Sequence, residues 1–179
     1  RSGIGSNMAA TPRLDALADQ GVSFSNAWAT PTCSPTRAAI LTGLYGSKNG
    51  VLEVGNTLDL SFETLFESIN TLTNGAYAIG AFGKWHLGAK APYLPTSYGF
   101  DEYLGLPYSN DMWPGKKDRV PLPFIKNHKA VAHISDGQSQ AVLGDALRTA
   151  AVDFIKKSSK QPFFLYFPHS MVHVPRYVL

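Results

Sequence analysis

Apolar positions fall into helical and strand periods along this chain. Leu14, Leu17 and Ala18 recur at helical spacing, with Thr11 as a cap, Pro12 at the first helical position and Gly21 at the end. Val22 to Trp28 then alternates, which predicts a strand. Ser34-Pro35 repeats the cap-then-proline signature and opens a short helix through Ile40 and Leu41, stopped by Gly43. Ser61 starts another helix, with Phe62, Leu65, Phe66 and Ile69 on one face and Gly75 at its end. Ala76 to Phe82 follows as a buried strand.

From Ala89 to about His133 the chain is rich in Pro, Gly and aromatics with little periodicity, which predicts long functional loops. The longest helix is expected from about Gln138 to Lys157. Leu143, Leu147, Ala150, Ala151 and Phe154 form its inner face, and Lys156-Lys157 suit its C-terminal end. Pro162 to Phe167 reads as a strand of the parallel, doubly covered kind. Helices alternating with buried strands indicate an α/β fold, without internal repeats or low-complexity tracts.

Composition narrows the class. With 44% hydrophobic and 16% charged residues, the chain is too apolar to be disordered. No apolar run approaches the ~20 residues that span a bilayer. No basic-then-apolar leader precedes the first helix, in a chain that opens at Arg1. Sixteen basic and thirteen acidic side chains give a net charge of +3. Apart from Lys116-Lys117 and Lys156-Lys157 the basic residues are scattered, so no nucleic-acid surface is expected. Cys33 is the only cysteine, which excludes an intrachain disulfide.

The densest chemical signal is Cys33-Ser34-Pro35-Thr36-Arg37, followed by Ala-Ala-Ile-Leu-Thr-Gly. Cys33 sits just before a helix N-terminus, where backbone N–H groups and the macrodipole favour anions. Arg37 returns after one helical turn towards the same end. A nucleophile, an anion-attracting helix end and a guanidinium fork suit a tetrahedral oxyanion such as sulfate or phosphate. A buried structural cysteine beside a surface arginine is the bland alternative.

Gly83-Lys84-Trp85-His86-Leu87-Gly88 follows the buried strand, and alternation would put Lys84 and His86 on one side at its C-terminal end. Open α/β sheets place ligand sites at that edge, although alone such a pair also reads as solvated loop residues. Ser109-Asn110-Asp111 by itself suggests a turn. His128 and His133 lie five apart but lack a third ligand with metal-site spacing.

Together these segments resemble the type I, formylglycine-dependent sulfatases. The Cys-x-Pro-x-Arg run is similar to that family's signature, and the Gly-Lys-Trp-His-Leu-Gly run to its second. Thr11 to Ala18 and Gly21 to Phe24 resemble the approach to the first. Gly99 to Asp111 is similar to the arylsulfatase A and N-acetylgalactosamine-6-sulfatase branch, and His169 to Pro175 to the family's His-x-Pro segment.

The resemblance implies an alkaline-phosphatase-like sulfatase fold: a central, mostly parallel sheet flanked by helices, incomplete at both ends. Residues 1–179 would be the N-terminal part of a catalytic domain. It also implies that Cys33 is oxidised to formylglycine, whose hydrate gives one hydroxyl to attack sulfur and a second to expel sulfate. Arg37 and Lys84 would hold the formylglycine hydroxyls and the sulfate, and His86 would take the proton in the elimination step. His173 would contact the substrate and assist the leaving oxygen, and Ser109 would touch the sulfate. His169 carries either a stabilising role or one at a remove from the substrate.

Ca²⁺ (or Mg²⁺) is implied for the full-length protein. Residue 33 is the part of its shell that can be assigned in this chain, because the family's aspartates and Asp-Asn pair cannot be. On that reading the chain alone is poorly active or inactive. The expected partners are a sulfate ester (a sulfated glycan or aryl sulfate) and a formylglycine-generating enzyme, with a periplasmic or secreted location. A phosphonate or phosphate monoester hydrolase of the same superfamily, or a non-catalytic anion-binding relative, are the alternative readings.

Overall fold

Strand β1 (Ala78–Lys84) organises the chain, because every residue after Ala78 in it is buried. The computed structural model describes residues 10–112, 120–171, 173–174 and 176–177. Ile79 and Ala81 of β1 join one apolar cluster and Phe82 the other, as alternation along a strand requires. The first cluster packs under α2 (Cys33–Thr42) and α4 (Leu65–Leu72). The second packs under α6 (Leu143–Lys157). Two short helices complete the set, α3 (Gly46–Asn49) after α2 and α5 (Gly137–Ala141) before α6. A helix α1 (Pro12–Gln20) comes first.

Among the described residues the sheet has five strands in the order β4-β3-β2-β1-β5. β1 pairs in parallel with β2 (Glu102–Leu106) and with β5 (Phe163–Tyr166). β3 (Leu122–Lys126) and β4 (Lys129–Ile134) extend it as an antiparallel hairpin that turns at Asn127, φ 54°. The sheet is therefore mixed, a parallel centre with an antiparallel edge, which is common in open α/β sheets.

Several expectations change. Residues 22–28, predicted as a strand, pair with nothing among the described residues, and Trp28 is 96% exposed. Alternation marks a surface suited to a sheet but supplies no neighbour. α1 forms over the expected span, yet Leu14 and Leu17 face solvent rather than a core. α2 begins at Cys33 with Thr32 in the cap position, so Ser34 lies inside the helix and is freed from capping.

α4 starts at Leu65 rather than Ser61. A reciprocal capping box sets that start: Thr64 accepts from the Glu67 backbone N–H, and the Glu67 carboxylate accepts from that of Thr64. Thr73 rather than Gly75 ends it. Within it Phe66 is buried, its ring 4.2 Å from that of Phe100, an arrangement contributing about 2–3 kcal/mol by burial.

The stretch from 89 to 133 holds three strands rather than loops alone. The long helix is interrupted at Val142, which ends α5 and precedes α6, and a second capping pair, Asp136 with Ser139, opens α5. β5 is half-buried, and Phe163 is exposed, so it lacks the double covering expected of it.

Gly83 and Gly105 face each other in the β1–β2 register. A side chain at Gly105 would run into the Gly83 carbonyl, so the strands approach closely just before Lys84. That approach brings the ends of β1 and β2 together where the polar residues gather.

Candidate active site

Cys33 is the first residue of α2, and no side chain caps that helix end. Its sulfur lies 3.1 Å from His86 Nδ1. The thiol thus lies at a helix N-terminus, whose partial positive charge suits an anion.

His86 is held on three sides. Its backbone N–H donates to the Pro107 carbonyl at 3.0 Å, carrying the β1–β2 pairing past the end of the strand. Its own carbonyl accepts from the Ser34 hydroxyl at 2.8 Å, and Ser34 is 0% exposed. Its φ is 64°, in the left-handed region that a non-glycine residue avoids. Such a conformation costs about 1–3 kcal/mol and persists where surrounding bonds fix it. The alternation argument therefore fails at His86 in its geometry, because the backbone there is not extended, yet Lys84 and His86 both reach Cys33.

Lys84 is 3% exposed, with its ammonium close enough to Cys33 for their charges to interact. Burial lowers its pKa, an effect opposed by Cys33 and reinforced by Arg37. Arg37 reaches across from α2, donating through Nη1 to the backbone carbonyl of Lys84 and, at 3.4 Å, to that of Trp85. Its guanidinium thereby ties α2 to the end of β1 while adding a second cation. Burial first, then the Lys84 and Arg37 charges, pushes His86 down to about 4. At neutral pH the ring is an uncharged proton acceptor beside the nucleophile position, flanked by two cations.

Ser109, 2% exposed, follows β2 and leads into a short 3₁₀ turn, Asn110–Met112. Its hydroxyl is buried and makes no hydrogen bond among the described residues. Burial raises Asp111, but the neighbouring Ser109 hydroxyl and the His173 and Lys84 charges outweigh this and leave its pKa lowered. His173 lies beyond β5 with Nδ1 3.9 Å from Asp111 Oδ1. Nδ1 also donates to the Val174 carbonyl at 2.7 Å. His173 is close enough to His86 for their charges to interact.

Cys33, Arg37, Lys84, His86, Ser109 and His173 are therefore drawn to one end of the sheet. They come from the α2 start and the C-terminal ends of β1, β2 and β5, where open α/β sheets carry ligands. His169 points elsewhere: it accepts from the Met171 backbone and lies edge-on to Phe167, beside a separate cleft with Arg148 and Tyr177. His128 contacts Thr96 at the β3–β4 turn, away from this group.

Among the described residues no cluster of three or more His, Cys, Asp or Glu can hold a metal ion. Among the described residues the groups beside Cys33 are the Lys84 ammonium and the His86 ring, which do not supply the oxygen ligands of a hard divalent ion. Next to His86 opens a recess of about 580 Å³, bordered by Asn56, Thr57, Tyr108 and Met112.

Two participants were not anticipated from the sequence. Ser34 was expected to cap a helix, and Asp111 to belong to a simple turn. The first is signalled only by lying inside the motif, the second by closing the Pro-Tyr-Ser-Asn-Asp run.

The sulfatase family pattern matches residues 2–178. Arylsulfatase G of Canis lupus familiaris is 35% identical over 210 residues, covering 96% of this chain and 38% of that protein. Homo sapiens N-acetylgalactosamine-6-sulfatase is 32% identical, covering 93% and 35% respectively. The crystal structure of Ps i-CgsB in complex with k-i-k-neocarrahexaose superposes with a TM-score of 0.74. It is 32% identical and covers 96% of this chain and 42% of that one. The chain thus spans well under half the length of these relatives.

Proposed function

The chain belongs to the sulfatase family, and from that premise we propose that it is the N-terminal part, residues 1–179, of a catalytic domain that hydrolyses sulfate monoesters through a formylglycine made from Cys33. The observation that carries this reading is the meeting of Cys33, Lys84 and His86, with sulfur and Nδ1 3.1 Å apart at a helix N-terminus.

Formylglycine supplies, as its hydrate, a hydroxyl nucleophile and a second hydroxyl for sulfate release. The chain's own residues do the rest. Arg37 and Lys84 bring fixed positive charge to sulfate oxygens inside a water-poor site, where preorganised charge is most effective. Arg37 does so while anchored to the end of β1. Ser109, buried at the end of β2, donates to the sulfate. His86, uncharged at neutral pH, accepts the proton of the releasing hydroxyl. His173 protonates the leaving alcohol through Nε2, because Nδ1 is engaged with Val174. The recess beside His86 receives the alcohol portion, with Tyr108 offering a ring face to a sugar or aryl group.

Ca²⁺ or Mg²⁺ is expected for the complete protein, held beside residue 33 by oxygen ligands other than those described here, and no step above depends on it. A sulfated glycan or aryl sulfate is the substrate class, and maturation requires a formylglycine-generating enzyme. We also propose export to a periplasmic or extracellular setting. The chain alone is expected to turn over poorly. The relatives named above are sulfatases, which favours sulfate over the phosphonate or phosphate alternative.

The test is the mass of the tryptic peptide Leu14–Arg37 after co-expression with a formylglycine-generating enzyme. It should show conversion of thiol to aldehyde. An intact thiol beside a converting control would point instead to a non-catalytic relative.

A further inference from the structure

The chain leaves β2 through Pro107 and enters the 3₁₀ turn Asn110–Met112, closed by the Met112 N–H donating to the Ser109 carbonyl at 3.1 Å. A side chain from a separate element grips this turn. Gln140 of α5, 5% exposed, donates through its side-chain amide to the Asn110 carbonyl at 2.7 Å, 30 residues away in sequence. α5 is itself fixed, opened by the Asp136–Ser139 capping pair and packed against α6. Immediately before Asn110, the Ser109 hydroxyl is buried and has no hydrogen-bond partner among the described residues. An unpaired buried hydroxyl is costly, so a turn free to shift would move until that group found a partner or water. The Gln140 bond, formed away from solvent where such bonds are strong, holds the turn against that shift.

We propose that Gln140 is a positioning residue, which holds the Asn110 turn so that the Ser109 hydroxyl stays unpaired and available to a sulfate oxygen. This rests on the reading of Ser109 as a sulfate donor. Gln140 does not touch the substrate; it acts on the backbone of the residue next to Ser109. The kinetic consequence is specific. Sulfate is present in substrate, transition state and product, so a displaced Ser109 hydroxyl weakens the binding of all three alike. KM then rises while kcat stays nearly constant. A merely structural Gln140 would show the reverse, because its loss would lower the folded fraction, and with it kcat per mole of protein, without moving KM.

The experiment uses the complete, formylglycine-matured protein, normalised to formylglycine content. It measures kcat and KM for 4-nitrophenyl sulfate, and the inhibition constant of inorganic sulfate. Gln140→Met keeps the length of the side chain but donates nothing. It is expected to raise KM and the sulfate inhibition constant about tenfold, with kcat within about twofold. Ser109→Ala should do the same, to about the same extent. In a protein already carrying Gln140→Met, adding Ser109→Ala should change either constant by less than about twofold. Gln140→Glu keeps the shape of glutamine but, ionised, has no hydrogen to donate. It should show the same split between KM and kcat, and it serves if the methionine variant fails to fold.

If Ser109→Ala raises both constants while the Gln140 variants keep the parent values, or lower kcat alone, the role of Gln140 is refuted and that of Ser109 stands. Effects that multiply in full in the double variant would also refute it. If Ser109→Ala moves neither constant, the reading of Ser109 as a sulfate donor fails first, and the role of Gln140 falls with it.

Discussion

Replacing Ser34 with alanine should impair His86 without touching it. The Ser34 hydroxyl is buried and donates to the His86 carbonyl at 2.8 Å, while His86 sits at φ 64°. Removing the hydroxyl takes away that donor to a carbonyl inside the protein, at a cost of about 1–3 kcal/mol. It also releases a residue whose left-handed backbone is itself about 1–3 kcal/mol above its relaxed state. Taking about 1.5–2 kcal/mol as the part that lets His86 leave its position, the productive fraction falls about 10- to 30-fold.

The assay is aryl sulfate turnover by the complete protein, normalised to formylglycine content by peptide mass, since Ser34 lies inside the maturation motif. Substrate affinity should change little, because the Ser34 hydroxyl bonds the His86 carbonyl while Arg37 is anchored separately to that of Lys84. A double-mutant cycle sharpens the test. In a His86→Gly background, where φ 64° costs nothing and the imidazole is gone, Ser34→Ala should have almost no further effect on rate. Full turnover by a fully converted Ser34→Ala protein would refute the reasoning. So would losses that simply add in the double variant.

Two other outcomes follow from the same geometry. His86, depressed to about 4 from an unfolded value near 6.5 while Cys33 is unmodified, binds its proton more readily when unfolded. Its contribution is thus complete above pH 6.5 and lost as pH falls towards 4, roughly 3 kcal/mol in all. Denaturant titrations should show His86→Gln losing less stability over that window than the parent, and equal losses would argue against a buried neutral ring. Gly105→Ala should destabilise the fold by about 3 kcal/mol or more, because its new methyl group would overlap the Gly83 carbonyl. A shift under about 0.5 kcal/mol in the same titration would mean that the β1–β2 approach is looser than described.

The parts of this structure legible in the sequence are those set by neighbours along the chain. The α1, α2 and α6 patterns and the apolar runs of β1 and β5 each carry their signal within about a dozen residues. Six residues singled out from two short motifs and two weaker runs converge at one sheet edge, because each motif sits where an element begins or ends. Features that depend on distant partners were less visible. β3 contains Pro123, which ordinarily argues against a strand; it is accommodated beside a register shift at Phe124/Ile125, next to the outermost strand. The alternating stretch 22–28 had the pattern without the partner. The α4 start was in principle readable, since Thr64 and Glu67 have capping-box spacing, but Ser61 offered a competing cap. Ser34 could not have been read correctly from the sequence, because its bond partner lies 52 residues away.

The two tryptophans of the described residues live in opposite surroundings. Trp28 is 96% exposed, whereas Trp85 is 1% exposed, its indole N–H bonded to the Tyr93 carbonyl at 3.0 Å and its ring packed on Tyr98. Trp85 stands between Lys84 and His86 in the chain, so an optical probe is already built into the segment that carries both. With Trp28 and Trp113 changed to phenylalanine, emission would come from that segment alone, short in wavelength while it stays dry and longer once water enters. Loosening of the site could then be followed by light separately from melting of the helices.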